Sequence, residues 1–197
     1  MTPSAAMSDP RSSAQVSPFA YPLDEFYAQA GRALPVMRPL PGEEVPEPYK
    51  RLLVHQGDMT STLENFHGSK VKLNVLSRQQ RDDFYYREVV LCSERTGEPV
   101  EFGAIKINLL QFEPAARRRI LEESAPLGRI IHEHKMGHRS RPKAFLEIES
   151  DAFINSALSL AKSERLYARR NTLLNDAGQP LAEILEILPP SPRPTAS

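Results

Sequence analysis

The stretch FYYREVVLCSERTGEPVEFGAIKINL (84–109) decides the fold of this chain. Residues 84–92 are mostly aromatic, β-branched or otherwise apolar, and a similar composition returns at residues 100–109. Between them, RTGEP (95–99) brings a glycine and a proline into the space of a short turn. Two such runs joined by a short glycine-containing turn are typical of a β-hairpin, so the segment predicts two neighbouring antiparallel strands.

The rest of the chain surrounds this hairpin with further strands and helices. Apolar runs predict strands at 71–76, 145–150, 165–174 and 180–188. Helical spacing predicts helices at 23–34, 46–56, 60–67, 114–124 and 151–166. Asp58 or Thr60 can cap the helix that Gly68 ends. Successive hairpins, with helices before and between them, predict an α+β fold with an antiparallel sheet.

Composition narrows the classes of function. The 197 residues carry 25 basic and 25 acidic side chains, so the formal net charge is zero. A nucleic-acid binder or a membrane-surface binder would show a basic excess, and the balance argues against both. A single cysteine, Cys92, excludes an intrachain disulfide and a multi-cysteine zinc site. The N-terminus shows no secretory signal, and a cytoplasmic protein is therefore expected.

The prolines indicate where the folded part begins and ends. Nine of the 18 prolines lie in the first 48 residues, and five more lie between Pro180 and Pro194. Because proline breaks helices and removes a donor from a sheet, the proline-poor stretch between these clusters is expected to fold. We therefore expect flexible tails at 1–20 and 191–197 on either side of a single domain at 21–190.

Arg87 stands inside the first strand of the hairpin. With a period of two, it shares a face with Tyr85, Val89 and Leu91. If that face is the core, the guanidinium leaves water and requires an anion or a carboxylate beside it. The alternative is that Arg87 faces solvent, or that it pairs with a structural glutamate across the sheet.

The last strand, PLAEILEIL (180–188), poses the complementary question. Glu186 and Glu183 lie on opposite faces of this strand, and both faces are otherwise apolar. At least one of these carboxyls is therefore expected to be buried, with a raised pKa unless a cation pairs with it. Such a carboxyl can act as a general acid or base near neutral pH. The alternative for either residue is a surface glutamate on an edge strand.

The segment RIIHEHKMGHRSRPK (129–143) is strongly basic and holds three of the five histidines. His132 and His134 have the spacing of two metal ligands, but a third ligand at a suitable spacing is missing. We therefore expect neither a metal nor a cofactor here. A solvated basic loop that helps to draw an anionic substrate inward is the expectation for this segment.

Eight short motifs follow one another along the predicted core. They are LLVHQGDMTSTLENF (52–66), YYREVVLC (85–92), RTGEP (95–99), APLGRII (125–131), FLEIE (145–149), ARR (168–170), AGQP (177–180) and LEILPP (185–190). In this order they resemble the chorismate lyase (chorismate–pyruvate lyase) family and its wider chorismate lyase-like relatives. The resemblance runs from about residue 50 to residue 192 and rests on the ordered set, since no single motif is decisive.

The resemblance implies an about six-stranded antiparallel sheet with helices covering an internal ligand cavity. It also implies a carbon–oxygen lyase that eliminates pyruvate from chorismate to give 4-hydroxybenzoate, or a related hydroxybenzoate, without metal or cofactor. Met59 and the backbone N–H of Leu127 would then contact the substrate. Arg87 would bind a substrate carboxylate and Glu186 would supply or accept a proton, so both are expected to be substrate-binding and catalytic.

Two alternatives stay open at this point. Glu183 competes with Glu186 for the role of the pocket carboxylate, because the spacing from the preceding turn leaves a one-residue ambiguity. The same fold also serves as a non-catalytic domain that binds or senses a small molecule, here an aromatic acid. Under either function the expected partner is a small anionic molecule, and neither nucleic acid nor membrane. The sequence does not determine the oligomeric state, although a monomer is slightly favoured.

Overall fold

Antiparallel pairing of strands organises the part of the chain that the computed structural model describes, residues 18–190. Its strands are β1 (Met37–Leu40), β2 (Val71–Arg81), β3 (Phe84–Ser93), β4 (Pro99–Asn108), β5 (His138–Glu149), β6 (Arg165–Asn175) and β7 (Pro180–Leu188). Within this range they form one seven-stranded sheet in the order β1-β5-β6-β7-β4-β3-β2, and every neighbouring pair is antiparallel. The predicted tail at 191–197, and residues 1–17 of the predicted tail at 1–20, lie outside the described residues.

Six short α-helices accompany the sheet in residues 18–190. They are α1 (Leu23–Gln29), α2 (Tyr49–Leu53), α3 (Met59–His67), α4 (Pro114–Leu121), α5 (Leu127–Glu133) and α6 (Ala152–Leu158). None of these helices has the length and apolar character needed to cross a membrane. The predicted α+β class with an antiparallel sheet is confirmed. The sheet has one strand more than the expected six or so, because β1 adds a short edge strand in which Pro39 is tolerated.

The predicted hairpin and the predicted caps of α3 are confirmed. In β3 and β4, Arg87 lies opposite Ile105, and Val89 lies opposite Gly103. Asp58 caps α3, since its carboxylate accepts a hydrogen bond of 2.8 Å from the Ser61 N–H. Gly68 ends the helix in the left-handed region at φ 56°.

The prediction of a loop over residues 129–143 is wrong. Helix α5 occupies its start, and the first half of β5 occupies its end. In that half, the three basic side chains Arg139, Arg141 and Lys143 are exposed at alternate positions, and Ser140 between them is buried. The second part of the segment is therefore a strand with a polar outer face. Its many charged residues hide the alternation that would predict a strand from the sequence.

Helices cover both faces of the sheet. One face, with Phe102 and Leu185, packs against Leu23 and Phe26 of α1 and against Ile154 and Leu158 of α6. The other face packs against α4 and α5 around Ile105 and Ile107, and against α2 and α3 around Leu91 and Leu188. Because side chains alternate along each strand, consecutive residues pack against the helices on opposite faces of the sheet. The second face carries the candidate site.

A buried ion pair joins β6 and β7 on that second face. Arg169 is fully buried and lies opposite Glu186 in the sheet. Its Nε donates to Glu186 Oε2 at 2.6 Å, and its Nη2 donates to Glu186 Oε1 at 3.1 Å. Its Nη1 donates to the backbone oxygen of His55 at 3.2 Å. One guanidinium thus ties the centre of the sheet to the segment between α2 and α3.

Glu88 is a second charged residue in the interior, on the opposite face beneath α1 and α6. It shares the face of Tyr86 and Val90 and is only 3% exposed. Its Oε1 has no hydrogen-bond partner among the described residues. Burial raises the pKa of Glu88 to about 7, and the charge of Arg32 opposes that rise. Folding therefore favours the protonated carboxyl.

Replacing Arg169 by Met should lower the free energy of unfolding by about 3–5 kcal/mol, because the buried carboxylate of Glu186 then lacks its cation. The double variant Arg169→Met/Glu186→Leu should regain most of this loss, since no unpaired charge remains. Urea unfolding of the wild type and the three variants of the cycle measures both effects. A double variant as unstable as Arg169→Met would contradict the assigned pairing.

The replacement Glu88→Gln should stabilise the protein above pH 7 and change little at pH 5. The folded-state pKa of Glu88 is raised, so its contribution is fully present below the ordinary pKa and is lost as pH rises through about 7. At pH 8 the gain in unfolding free energy should reach roughly 2–3 kcal/mol. Urea unfolding at several pH values measures it, with the exposed Glu44→Gln as the matched control. Equal gains at pH 5 and pH 8 would contradict the buried titration.

Candidate functional site

A cavity of about 70 Å³ lies between the sheet and helices α3 and α5. Its apolar lining includes Met59, Leu73, Val89, Leu91, Ile105, Leu127, Leu173 and Ile184. Its polar lining consists of Asp58, Thr60, Arg87, Glu101, Ser140, Asn171 and Glu186. An apolar chamber with a few polar groups turned inward is the usual form of a small-molecule site.

All four residues singled out from the sequence line this one cavity. Arg87 in β3 and Glu186 in β7 belong to the sheet, while Met59 begins α3 and Leu127 begins α5. Of these four residues, the two on the sheet are charged and the two on the helices are apolar. The four residues therefore lie at one site, whereas their roles in binding and catalysis stay predictions.

Glu183 does not line the cavity. It lies on the other side of β7, where its Oε2 is 2.6 Å from Nη1 of Arg170. The hydroxyl of Thr172 also donates to this carboxylate, at 3.1 Å. Of the two glutamates in the last strand, the carboxylate at the cavity is therefore Glu186.

Arg87 is a buried cation without a matching anion. The side chain is 1% exposed, and within residues 18–190 neither its Nε nor its Nη1 has a hydrogen-bond partner. Burial lowers the pKa of Arg87 to about 10, while the nearby Tyr85 and Glu123 oppose this shift. The group is therefore still a cation at neutral pH. Leaving a buried cation unpaired is costly, so the site is prepared for an anion.

Glu123 is already engaged elsewhere and does not neutralise Arg87. Its carboxylate accepts a short hydrogen bond from the hydroxyl of Tyr85. The same carboxylate forms an ion pair with Arg78, with 2.7 Å between Arg78 Nη1 and Glu123 Oε2. Its negative charge stabilises the Arg87 cation electrostatically, but it does not accept hydrogen bonds from the unpartnered Nε and Nη1.

Glu186 is held by Arg169 and is poorly placed to transfer a proton. Both of its oxygens accept hydrogen bonds from the guanidinium, at 2.6 Å and 3.1 Å. With both oxygens engaged by the guanidinium, the carboxylate is fixed in place and neither oxygen is free for a ligand. The geometry therefore supports a structural role for Glu186 at the cavity wall more directly than the expected acid or base role.

His55 lies beside Arg169, and its imidazole ring is neutral. Burial lowers its pKa first, and the charge of Arg169 lowers it further. Its Nε2 lies 2.7 Å from the backbone oxygen of Leu52, and its Nδ1 accepts from the Gly57 N–H at 3.0 Å. These contacts fit the tautomer with hydrogen on Nε2. The ring orders the segment that leads into α3 and the cavity.

Sequence reasoning missed the second acidic residue at the cavity, Glu101. It is 5% exposed, and its Oε2 has no hydrogen-bond partner among the described residues. Burial and the charge of Glu186 raise the pKa of Glu101 well above its usual range, and Arg169 only partly opposes this. Alternation along β4 places Glu101 on the face of Ile105 and could have revealed it, as it revealed Arg87.

The remaining reactive residue types lie apart from the cavity. Among residues 18–190, no group of three or more His, Cys, Asp or Glu side chains could hold a metal. His132 belongs to α5 and His138 to β5. Cys92 is buried in the core of the opposite face, where Asn74 Nδ2 lies 3.2 Å from its sulfur. Burial raises the pKa of this thiol, which disfavours the reactive thiolate.

Comparison with known proteins finds similarity in structure alone. No family model matches the sequence, and no curated protein matches it. The effector domain of PhnF from Mycobacterium smegmatis is 13% identical, covers 70% of this chain and 91% of its own, and gives a TM-score of 0.55. The structure of PhnF from the same organism gives a TM-score of 0.55 at 13% identity, covering 71% of this chain and 67% of that chain. The possible transcriptional regulator YydK from Bacillus subtilis gives 0.50 at 10% identity, covering 64% and 62%.

The expectation of a carbon–oxygen lyase is wrong on this comparison. The structures that share the fold are named as an effector domain and as a possible transcriptional regulator, and neither name is that of a lyase. The pairing of Glu186 with Arg169 agrees with this correction, because it removes the expected proton donor. The resemblance seen in the sequence holds for the architecture: the chain has a chorismate lyase-like α+β fold, which it shares with the effector domain of PhnF.

Proposed function

We propose that this domain binds a small organic anion and does not convert it, so that it serves as a sensor or carrier domain. The observation that carries the proposal is the guanidinium of Arg87, which is buried in an apolar cavity with two unpartnered donor nitrogens. The likeness to the effector domain of PhnF supports the same function.

Arg87 suits a carboxylate or a similar planar anion. Its free Nε and Nη1 lie on different edges of one guanidinium, so an oxygen of an anion can accept a charge-assisted hydrogen bond on either edge. Such charge-assisted bonds are stronger inside a low-dielectric cavity than in water. An arriving anion would thus offset the unfavourable burial of the cation and give at least one of the free donors an acceptor.

The walls of the cavity suit an apolar body behind that anion. Val89, Leu91 and Ile105 present hydrocarbon from the sheet, and Met59 and Leu127 close the opposite side from the helices. Burying a ring or a short chain among them adds roughly 25 cal/mol for each Å² of apolar surface removed from water. The proposed ligand is therefore an aromatic or aliphatic acid.

Binding without conversion follows from the state of the acidic groups. Glu186 is occupied by Arg169, and Asp58 caps α3 by accepting from the Ser61 N–H. The remaining acidic residue of the described lining, Glu101, lies four residues along the strand register from Arg87. We infer that the ligand leaves the site chemically unchanged.

Benzoate should bind the wild-type domain, and the neutral benzamide should bind at least 10-fold more weakly. Replacing Arg87 by Met should weaken benzoate binding by roughly 10- to 100-fold, because the charge-assisted hydrogen bonds are lost. Isothermal titration measures the affinities, and proton NMR of the recovered ligand checks that it is unchanged. The exposed Arg139→Gln, which alters the same net charge outside the cavity, should retain wild-type affinity.

The stability of Arg87→Met separates a ligand contact from a structural residue. Removing an unpaired buried cation should raise the unfolding free energy of the ligand-free domain by about 1–3 kcal/mol. A structural arginine would instead destabilise the domain when replaced. Equal affinity of benzoate for the wild type and Arg87→Met, or a benzoate affinity no better than that of benzamide, would contradict the proposed function.

A further inference from the structure

The carboxyl of Glu101 lies in the same cavity as Arg87 but at a different point along the sheet. Glu101 pairs with Leu91 in the register of β3 and β4, whereas Arg87 pairs with Ile105. Four residues along a strand span about 13 Å. Both side chains belong to the face that lines the cavity. A ligand that reaches from Arg87 along the sheet therefore meets Glu101 at its far end.

Arg169 is fully used by other groups and leaves Glu101 without a partner. Two of its nitrogens donate to Glu186, and the third donates to the backbone oxygen of His55. Glu101 Oε2 makes no hydrogen bond with any described residue. A purely structural glutamate at this depth would be expected to have one, because an unsatisfied buried oxygen destabilises the fold.

Gly103 provides the room for this carboxyl. A Cβ at that position would lie 3.1 Å from Glu101 Oε1 and 3.1 Å from the backbone oxygen of Leu185. The first contact is with a side chain and the second with the fixed backbone of β7, so a larger residue could not be accommodated by moving Glu101 alone. Glycine here preserves open space beside the carboxyl at the cavity.

We propose that Glu101 is the second ligand contact and selects acids with a single carboxylate that carry a hydrogen-bond donor, hydroxyl or ammonium, at the end remote from Arg87. This inference rests on the proposed function, since it presupposes that an anion binds at Arg87. Glu101 offers an acceptor oxygen in either protonation state. A second anionic group at that end would meet the charge of Glu186, with only Arg169 to compensate both, and is rejected.

The two donor types differ in what happens to the proton of Glu101. Burial and the charge of Glu186 raise the pKa of Glu101 well above its usual range, which favours the protonated carboxyl in the free domain. An ammonium beside it stabilises the ionised carboxylate, so Glu101 releases its proton to solvent as the ammonium ligand binds. A hydroxyl makes a neutral hydrogen bond and releases no proton. Proton release therefore identifies which donor the site prefers.

Four para-substituted benzoates of similar shape test the proposal by isothermal titration: the 4-hydroxymethyl, 4-aminomethyl, 4-methyl and 4-carboxy compounds. At least one of the two donor-bearing acids should bind 10-fold or more tightly than 4-methylbenzoate, and the 4-carboxy dianion should bind 10-fold or more weakly. Titration in two buffers with different ionisation heats should show release of up to one proton for the 4-aminomethyl compound and none for the 4-hydroxymethyl compound.

Variants assign these preferences to the carboxyl. Glu101→Gln keeps an acceptor oxygen, so it should abolish proton release and retain the preference for the 4-hydroxymethyl compound, while Glu101→Leu should make 4-methylbenzoate the tightest of the four. Gly103→Ala should weaken every donor-bearing ligand by crowding the carboxyl. The matched control Glu183→Gln, on the far side of β7, should leave all the ratios unchanged.

The outcomes distinguish this inference from the function on which it rests. If the four acids bind through Arg87 with equal affinity, or if both Glu101 variants keep the wild-type ratios, Glu101 is not a ligand contact while the proposed function stands. If none of the four binds the wild type, the proposed function fails and this inference fails with it.

Discussion

The buried ion pair between Arg169 and Glu186 is the interaction on which the rest of the site depends. It crosses two neighbouring strands at the centre of the sheet, and its third nitrogen reaches the backbone before α3. All three nitrogens of the Arg169 guanidinium donate hydrogen bonds, which offsets the cost of burying its charge. The pair thereby fixes the distance between the sheet and the helices that close the cavity.

What the pair leaves unsatisfied defines the chemistry of the site. Glu186 and Arg169 neutralise each other. Among the described residues, Arg87 and Glu101 are then the two ionisable side chains at the cavity that have buried polar atoms without a hydrogen-bond partner. Both carry a desolvation penalty, which lowers the pKa of one and raises that of the other. A fold that maintains two such groups in one chamber is better explained by a ligand than by stability, because stability alone would favour apolar residues there.

The sequence predicted those parts of the site that local patterns specify. Period-two alternation put Arg87 on the Val89 and Leu91 face, and Asp58 and Gly68 marked the ends of α3. The partner of Glu186 could not be predicted from alternation, because the register of β6 against β7 determines which residue lies opposite Glu186. The sequence left open whether a cation pairs with Glu186, and its pairing to Arg169 is a tertiary contact. Glu101 was accessible to the same alternation argument that found Arg87.

The central claim is that Arg87 awaits an anion, and its guanidinium can be observed directly. In protein labelled with ¹⁵N at arginine, the Nε–Hε resonance of Arg87, assigned by its absence in Arg87→Lys, reports on an unpartnered donor in the free domain. Titration with benzoate should shift this resonance strongly downfield to a saturable endpoint, as the Nε–H acquires a carboxylate acceptor. A resonance that stays in place while benzoate binds elsewhere, or while it fails to bind at all, would contradict the account.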